Sequence, residues 1–116
     1  MGWWSRWFGK RGTAENGEHA VIVSFQYGSP DTGPLAELGE QLRAALGDSG
    51  DGEYDGHEIA EDGSDGTFFM YGPDADRILA RVKPLLQSHG QLSRLTARLR
   101  YGEAGRNAPE TVLELG

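Results

Sequence analysis

Residues 25–31 (FQYGSPD) and residues 69–74 (FMYGPD) decide the fold of this chain. Each stretch closes an apolar run with a Tyr-Gly turn and opens a segment whose apolar residues recur at helical spacing. Duplicated strand–turn–helix units cross over right-handed and pair in few ways. The sequence therefore predicts an α+β domain with the element order β-α-β-β-α-β and the sheet order 4-1-3-2.

The composition predicts one acidic domain without thiol chemistry. A chain of 116 residues supports a single core. Its 18 acidic and 11 basic side chains give a net charge of −7, which repels nucleic acid and favours a basic partner. Cysteine is absent, and no apolar run approaches the roughly 18–20 residues that span a bilayer. We therefore expect a cytoplasmic protein with no nucleic-acid partner and no transmembrane segment.

The N-terminus differs from the rest of the chain, because its apolar and basic residues fall on different sides of a helical turn. The apolar residues are Trp3, Trp4, Trp7 and Phe8, and the basic residues are Arg6, Lys10 and Arg11. We predict an aromatic basic segment with its linker over residues 1–18 and a folded domain over residues 19–116. The segment either packs on the domain or makes peripheral contact with a membrane, and the acidity of the remaining chain favours packing.

Periodicity and turn residues locate the elements of the folded domain. Polar and apolar residues alternate in the first and fourth strands, and leucine-rich stripes at helical spacing follow each duplicated turn. The predicted strands cover residues 20–27, 53–60, 67–71 and 94–101, a short fifth strand covers residues 111–115 beside strand 4, and the helices begin near Pro34 and Pro73.

In this arrangement the helices cover one face of the sheet and leave the other face open. The alternation of strands 1 and 4 directs Tyr27 and Tyr101 toward the helices, and by analogy Tyr71 as well. The predicted open face, an apolar centre with a polar and cationic rim, consists of Ile22, Ser24, Gln26, Phe68, Met70, Arg98 and Arg100. The predicted acidic edge on strand 2 consists of Asp51, Glu53, Asp55 and Glu58.

No constellation in the sequence predicts catalysis, a metal or a cofactor. Within the acidic stretch 48–65, the spacing of Asp51, Glu53, Asp55 and Gly56 matches the opening of a calcium loop, but the terminal bidentate Glu is missing. His19, His57 and His89 lack the spacing of a zinc site, and neither a nucleophile elbow nor a Ser-His-Asp order is present. We therefore expect a protein that is not an enzyme and that holds no metal or cofactor.

Residues 20–101 resemble the ferredoxin-like superfold, and the segments YDGHE (54–58) and MYGPDAD (70–76) are similar to segments of small bacterial proteins of uncharacterised function. The resemblance implies a fold and no activity, because this superfold hosts unrelated functions. The arginine of acylphosphatases is missing from residues 28–33, and the paired cysteines of copper chaperones are absent. Phe68 matches one aromatic of RNA-recognition modules, but Ile22 and Ser24 provide no second stacking platform.

Two functional hypotheses from different classes remain. The first is a non-catalytic protein-binding or regulatory domain, for example an inhibitor or immunity-type partner whose acidic edge steers toward a basic target. The second is a dimeric ferredoxin-like domain that senses a small molecule. The expected partner is accordingly an unidentified protein or a second copy of the chain.

Overall fold

The computed structural model describes residues 18–28, 31–60, 64–90, 92–102 and 108–116. These residues form an α+β fold with one open antiparallel sheet and two helices. The strands are β1 His19–Tyr27, β2 Glu53–Ile59, β3 Asp65–Gly72, β4 Leu92–Arg100 and β5 Glu110–Glu114, and the helices are α1 Gly33–Ser49 and α2 Ala75–Gln87. The α+β class is confirmed, and so is the fifth strand beside β4. The strand order across the sheet is β2-β3-β1-β4-β5.

Both duplicated turns end a strand and lead into a helix, as the sequence predicts, and acidic side chains bind the first turn of each helix. At α1 the Asp31 carboxylate accepts a hydrogen bond from the Gly33 N–H at 3.0 Å, whereas the Thr32 side chain at the N-cap makes none. At α2 the Asp74 carboxylate accepts from the N–H groups of Asp76 and Arg77 at 3.0 and 3.3 Å. These bonds satisfy backbone donors that have no partner within the helix.

The core lies between the sheet and the two helices. Val21 and Val23 of β1 pair with Met70 and Phe68 of β3, and the Phe25 ring stacks on the Phe68 ring at 4.8 Å between centroids. Leucines of α1 and apolar residues of α2 close this layer, as the helical stripes predict: Leu35, Leu38, Leu42, Leu46, Ile78, Leu79, Val82 and Leu86.

The predicted face of β3 is wrong. Phe68 and Met70 belong to the core under the helices, and Phe69 and Tyr71 lie on the opposite face. Four consecutive apolar residues carry no alternation, so periodicity could not assign their faces, and the analogy with Tyr27 selected the wrong register. The other two predicted tyrosines, Tyr27 and Tyr101, do pack on the helix side.

Candidate functional site

The open face of the sheet, opposite the helices, has an apolar centre. Ile22 of β1 lies directly between Phe69 of β3 and Arg98 of β4. Ala20, one pair further along, lies between Tyr71 and Arg100. Residues directly opposite in neighbouring strands share a face, so these side chains form one patch. The strands thus bring the predicted Ile22, Arg98 and Arg100 together, with Phe69 and Tyr71 in place of Phe68 and Met70.

Most of this apolar centre is shielded from solvent. Ala20 and Phe69 expose none of their surface, and Tyr71 exposes 2%. Arg100 is also buried, and its Nε donates a hydrogen bond to the Gly102 carbonyl oxygen at 2.6 Å. Ala20, Phe69, Tyr71 and Arg100 are therefore largely inaccessible in this structure, and binding of a partner at the open face stays a prediction.

The rim of the open face is accessible. Ser24 and Gln26 are exposed at the end of β1. Arg98 is exposed on β4, where its Nη1 lies 3.1 Å from Glu110 Oε1. The predicted polar and cationic rim is present at these three positions.

The predicted acidic edge does not form as one surface. Asp51 is buried, and its carboxylate lies 3.3 Å from Arg81 and 3.6 Å from Arg77, both on α2. Burial alone would raise the pKa of Asp51, but hydrogen bonds from Ser49 and Arg81 together with the two arginine charges lower it overall. Asp51 therefore joins the α1–β2 connection to α2 and is unavailable to a partner.

The other three acidic residues lie on β2 itself. Glu53 is exposed, whereas Asp55 and Glu58 are half-buried. Glu53 pairs with Tyr71 and Glu58 pairs with Thr67 of β3, so both carboxylates belong to the β2 side of the open face. The sequence alone does not distinguish Asp51 from the other three acidic residues, because the arginines that pair with Asp51 lie far along the chain on α2.

A bulge in β2 brings together a tyrosine and a histidine that sequence reasoning did not pair. The register shifts between Tyr54 and Gly56, and Gly56 has a φ of 127°, which a glycine adopts readily. Tyr54 and His57 consequently share the helix side, with the Tyr54 hydroxyl 2.6 Å from His57 Nδ1. The glycine inside an otherwise regular strand was the signal for this bulge.

Burial favours the neutral form of both Tyr54 and His57. Burial raises the pKa of the Tyr54 hydroxyl and lowers the pKa of the His57 imidazole. The Tyr54 hydroxyl and the imidazole share a hydrogen bond at Nδ1, and the imidazole tautomer decides which of the two groups donates. Arg43 covers the Tyr54 ring, with its guanidinium carbon 5.2 Å from the ring centroid. The pair thus fixes the edge strand β2 against α1.

A second group surrounds the start of α2. His19 Nδ1 accepts a hydrogen bond from the Ala75 N–H at 3.0 Å, and the Tyr101 hydroxyl donates to Asp76 Oδ1 at 2.8 Å. The bond to Asp76 and burial both raise the pKa of Tyr101. His19 and the Asp74 cap thus occupy the N–H groups of Ala75, Asp76 and Arg77, which an anion at this helix N-terminus would use.

Arg94 lies at a bulge of β4 beside two shallow clefts. The pairing of β1 with β4 shifts between Ser24 and Gln26, and Arg94 adopts a φ of 51°. A non-glycine residue rarely takes this conformation, and a bulge redirects its side chain. Arg94 lines a cleft of about 320 Å³ with Gln26 and Thr67, and another of about 290 Å³ with Glu114.

The strand β5 is the edge of the sheet opposite to β2, and the sequence predicts this strand without indicating a site on it. All five of its residues are exposed. Val112 exposes 54% of its surface and Leu113 exposes 39%, more than other large apolar side chains in the described ranges. Glu110 and Glu114 flank these two residues. An edge strand of this kind offers unpaired backbone groups next to apolar side chains.

Within the described ranges no three His, Asp or Glu side chains converge as metal ligands, and neither helix is long and apolar enough to cross a membrane. The expected absence of a metal, a cofactor and an activity stays a prediction. Trp3, Trp4, Trp7 and Phe8 lie outside the described residues, so the expected packing or membrane contact of this segment also stays a prediction.

No protein-family model matches the chain, and no curated protein matches it.

Proposed function

We propose that this chain is a non-catalytic protein-binding domain of ferredoxin-like fold that takes up a basic, extended segment of its partner along β5. In this role the domain would serve as an inhibitor, a regulator or an immunity-type partner of a basic target protein. The strand order supports the fold, because when read from the β5 edge it is β5-β4-β1-β3-β2, which contains the order 4-1-3-2 with one strand added. The open edge of β5 carries the functional proposal.

The free backbone groups of β5 follow from its pairing with β4. The Tyr101 N–H donates to the Pro109 carbonyl, and the Leu115 N–H donates to the Leu95 carbonyl. Hydrogen-bonded and non-hydrogen-bonded pairs alternate in an antiparallel ladder, so Thr111 and Leu113 direct their backbone groups toward β4. The backbone groups of the alternate residues, Glu110, Val112 and Glu114, point outward. An extended peptide that adds a strand to a sheet edge binds through backbone groups of this kind.

The side chains of β5 define the chemistry of the added strand. Val112 lies opposite Arg98 and therefore on the open face, and Leu113 lies opposite Ala97 on the helix side. An added strand thus meets one apolar side chain on each face of the sheet. Glu110 and Glu114 favour lysine or arginine beside those apolar contacts, and the net charge of −7 steers a basic partner toward the domain. A second β5 paired antiparallel and centred on Val112 would instead place Glu110 beside Glu114, which disfavours a homodimer through this edge.

A dimeric domain that senses an anionic small molecule is the second candidate. The clefts at Arg94 favour it, because an exposed guanidinium stands beside the polar side chains of Gln26 and Thr67. The shallow form of the clefts favours the edge-strand proposal over this one, since small-molecule sites bury most of their ligand.

The test is a titration of the isotopically labelled full chain with the peptide acetyl-KVKVKVK-amide, followed by backbone amide chemical shifts. We expect saturable shifts at Glu110, Val112 and Glu114, and none with acetyl-EVEVEVE-amide. Val112→Pro removes the outward-facing N–H together with the valine side chain, and it should abolish the shifts without unfolding the domain. Val112→Thr is the matched control, because it keeps the outward N–H and a β-branched side chain at the same position, and it should therefore keep the shifts.

Shifts that are equal for both peptides, that survive in Val112→Pro, or that cluster at Arg94 would refute the edge-strand proposal. Shifts around Arg94 that appear on addition of a small dicarboxylate, together with a dimer in sedimentation, would support the sensor instead.

A further inference from the structure

We propose that Arg94 helps to select the sequence of the added strand, because it binds a carboxylate on the partner residue that lies beside Gly116, while Glu114 binds a basic side chain two residues away. This inference rests on the proposed function, since it assigns the charge order of the segment that pairs with β5. At alternate positions the partner segment accordingly carries an apolar residue beside Val112, a basic residue beside Glu114 and an acidic residue beside Gly116.

The bulge in β4 directs Arg94 to the open face. At this bulge Arg94 and Leu95 together lie opposite the single residue Phe25 of β1. Leu95 is buried in the core under the helices. Arg94 is therefore the additional residue, and its exposed side chain lines a cleft with Ser24 and Gln26 of the open face. Bulges of this kind redirect a side chain and recur beside functional sites.

Arg94 differs from the other arginines in the part of the chain that the structure describes. Among the described residues, its guanidinium makes no hydrogen bond and no ion pair. The other arginines there bind a carboxylate or a backbone carbonyl: Arg43 binds Glu40, Arg77 and Arg81 bind Asp51, Arg98 binds Glu110, and Arg100 binds Gly102. A guanidinium without a partner can bind an incoming carboxylate through two parallel hydrogen bonds.

The two acidic residues of β5 are not equivalent. The Glu110 carboxylate already pairs with Arg98 at 3.1 Å, so it attracts a further cation less strongly. The Glu114 carboxylate has no such bond to any described residue, and it lines the cleft of about 290 Å³ together with Arg94. This end of β5 therefore offers a partner one carboxylate and one guanidinium that are not bonded to each other.

Gly116 leaves the space between Arg94 and an added strand open. The Leu95 N–H donates to the Gly116 carbonyl oxygen at 3.1 Å, so the pairing of the two strands continues to this position. Gly116 has no side chain, and a Cβ placed there would have no heavy atom within 4 Å. An added strand lies about 10 Å from β4, which is two strand spacings. An arginine and a glutamate side chain that point toward each other across a glycine can span this distance.

The test uses two peptides of the same composition and the isotopically labelled full chain. In a parallel pairing, acetyl-KTVVKTE-amide places lysine beside Glu114 and glutamate beside Gly116, and acetyl-KTVVETK-amide exchanges these two residues. The reversed sequences, acetyl-ETKVVTK-amide and acetyl-KTEVVTK-amide, present the same two patterns to an antiparallel pairing. In one of the two directions we expect the first peptide to bind about three- to tenfold more tightly than its exchanged isomer, as measured by amide shifts along β5.

Variants of Arg94 show whether its guanidinium is the cause. Arg94→Glu should remove the preference, because carboxylates then attract lysine at both positions. Arg94→Gly should reduce the preference and keep the domain folded, since glycine readily adopts the φ of 51° at this position. Arg98→Gln is the matched control, because it removes another exposed guanidinium from the open face of β4 and should leave the ratio of the two affinities unchanged.

The outcomes separate this inference from the proposal on which it rests. Equal affinities within both peptide pairs, or a ratio that both Arg94 variants leave unchanged, would overturn the inference while shifts along β5 still support strand addition. The absence of shifts at β5 with all four peptides would refute strand addition and this inference with it. Saturable binding of succinate at Arg94, with no effect of the charge order of the peptides, would assign the guanidinium to a small anion and also overturn the inference.

Discussion

Truncation of Leu99 and of its neighbour Arg98 measures the two faces of β4 separately. Leu99 exposes 1% of its surface and lies opposite Val21 in the core under the helices. Leu99→Ala therefore removes buried methyl groups and leaves a cavity, which costs about 2–5 kcal/mol of unfolding free energy. The Arg98 side chain is 57% exposed and makes one ion pair with Glu110. Arg98→Ala should cost only about 0.2–1 kcal/mol, because exposed ion pairs contribute little.

Urea unfolding followed by circular dichroism at 222 nm is the assay. With a slope near 2 kcal/mol per molar urea, Leu99→Ala should lower the midpoint by roughly 1–2.5 M, and Arg98→Ala by less than about 0.5 M. Leu99→Asp should unfold the domain, since it places an unpaired charge in the core. Equal midpoint shifts for the two alanine variants would refute the assignment of the two faces of β4.

Two further predictions concern a helix cap and a histidine. Asp74→Ala should destabilise the domain by about 1 kcal/mol in urea unfolding, because the Asp74 carboxylate accepts two N–H bonds at the start of α2. Thr32→Ala at the start of α1 should have almost no effect, because the Thr32 side chain makes no capping bond. A larger loss for Thr32→Ala than for Asp74→Ala would contradict the capping geometry. Burial lowers the pKa of His57, so the unfolded chain binds its proton more readily, and the stabilising contribution present above about pH 6.5 is lost as the pH falls through the folded pKa. The wild type should therefore lose more stability between pH 7.5 and 5.5 than His57→Asn, which keeps a hydrogen-bonding group beside the Tyr54 hydroxyl. Identical losses would show that His57 is not the titrating group.

The sequence by itself determined the elements and their succession. Alternation in residues 20–27 and 94–101 predicted two strands, because one face of each contacts the core and the other does not. The Tyr-Gly turns marked where β1 and β3 end, since a glycine, a proline and an acidic cap recur there. The predicted bounds lie close to those of the structure for all five strands.

Only the tertiary structure decided what each face of the sheet contacts. The run Phe68–Tyr71 is apolar at every position, so its faces depend on pairing with β1 and not on its own pattern. Asp51 and Glu53 look alike in the local sequence, yet only Asp51 forms ion pairs with Arg77 and Arg81, which lie 26 and 30 residues further along the chain. Tyr54 and His57 meet because Gly56 permits a bulge, and a bulge is stable only when the neighbouring strand holds it. The candidate sites depend on such long-range contacts, which local patterns do not encode.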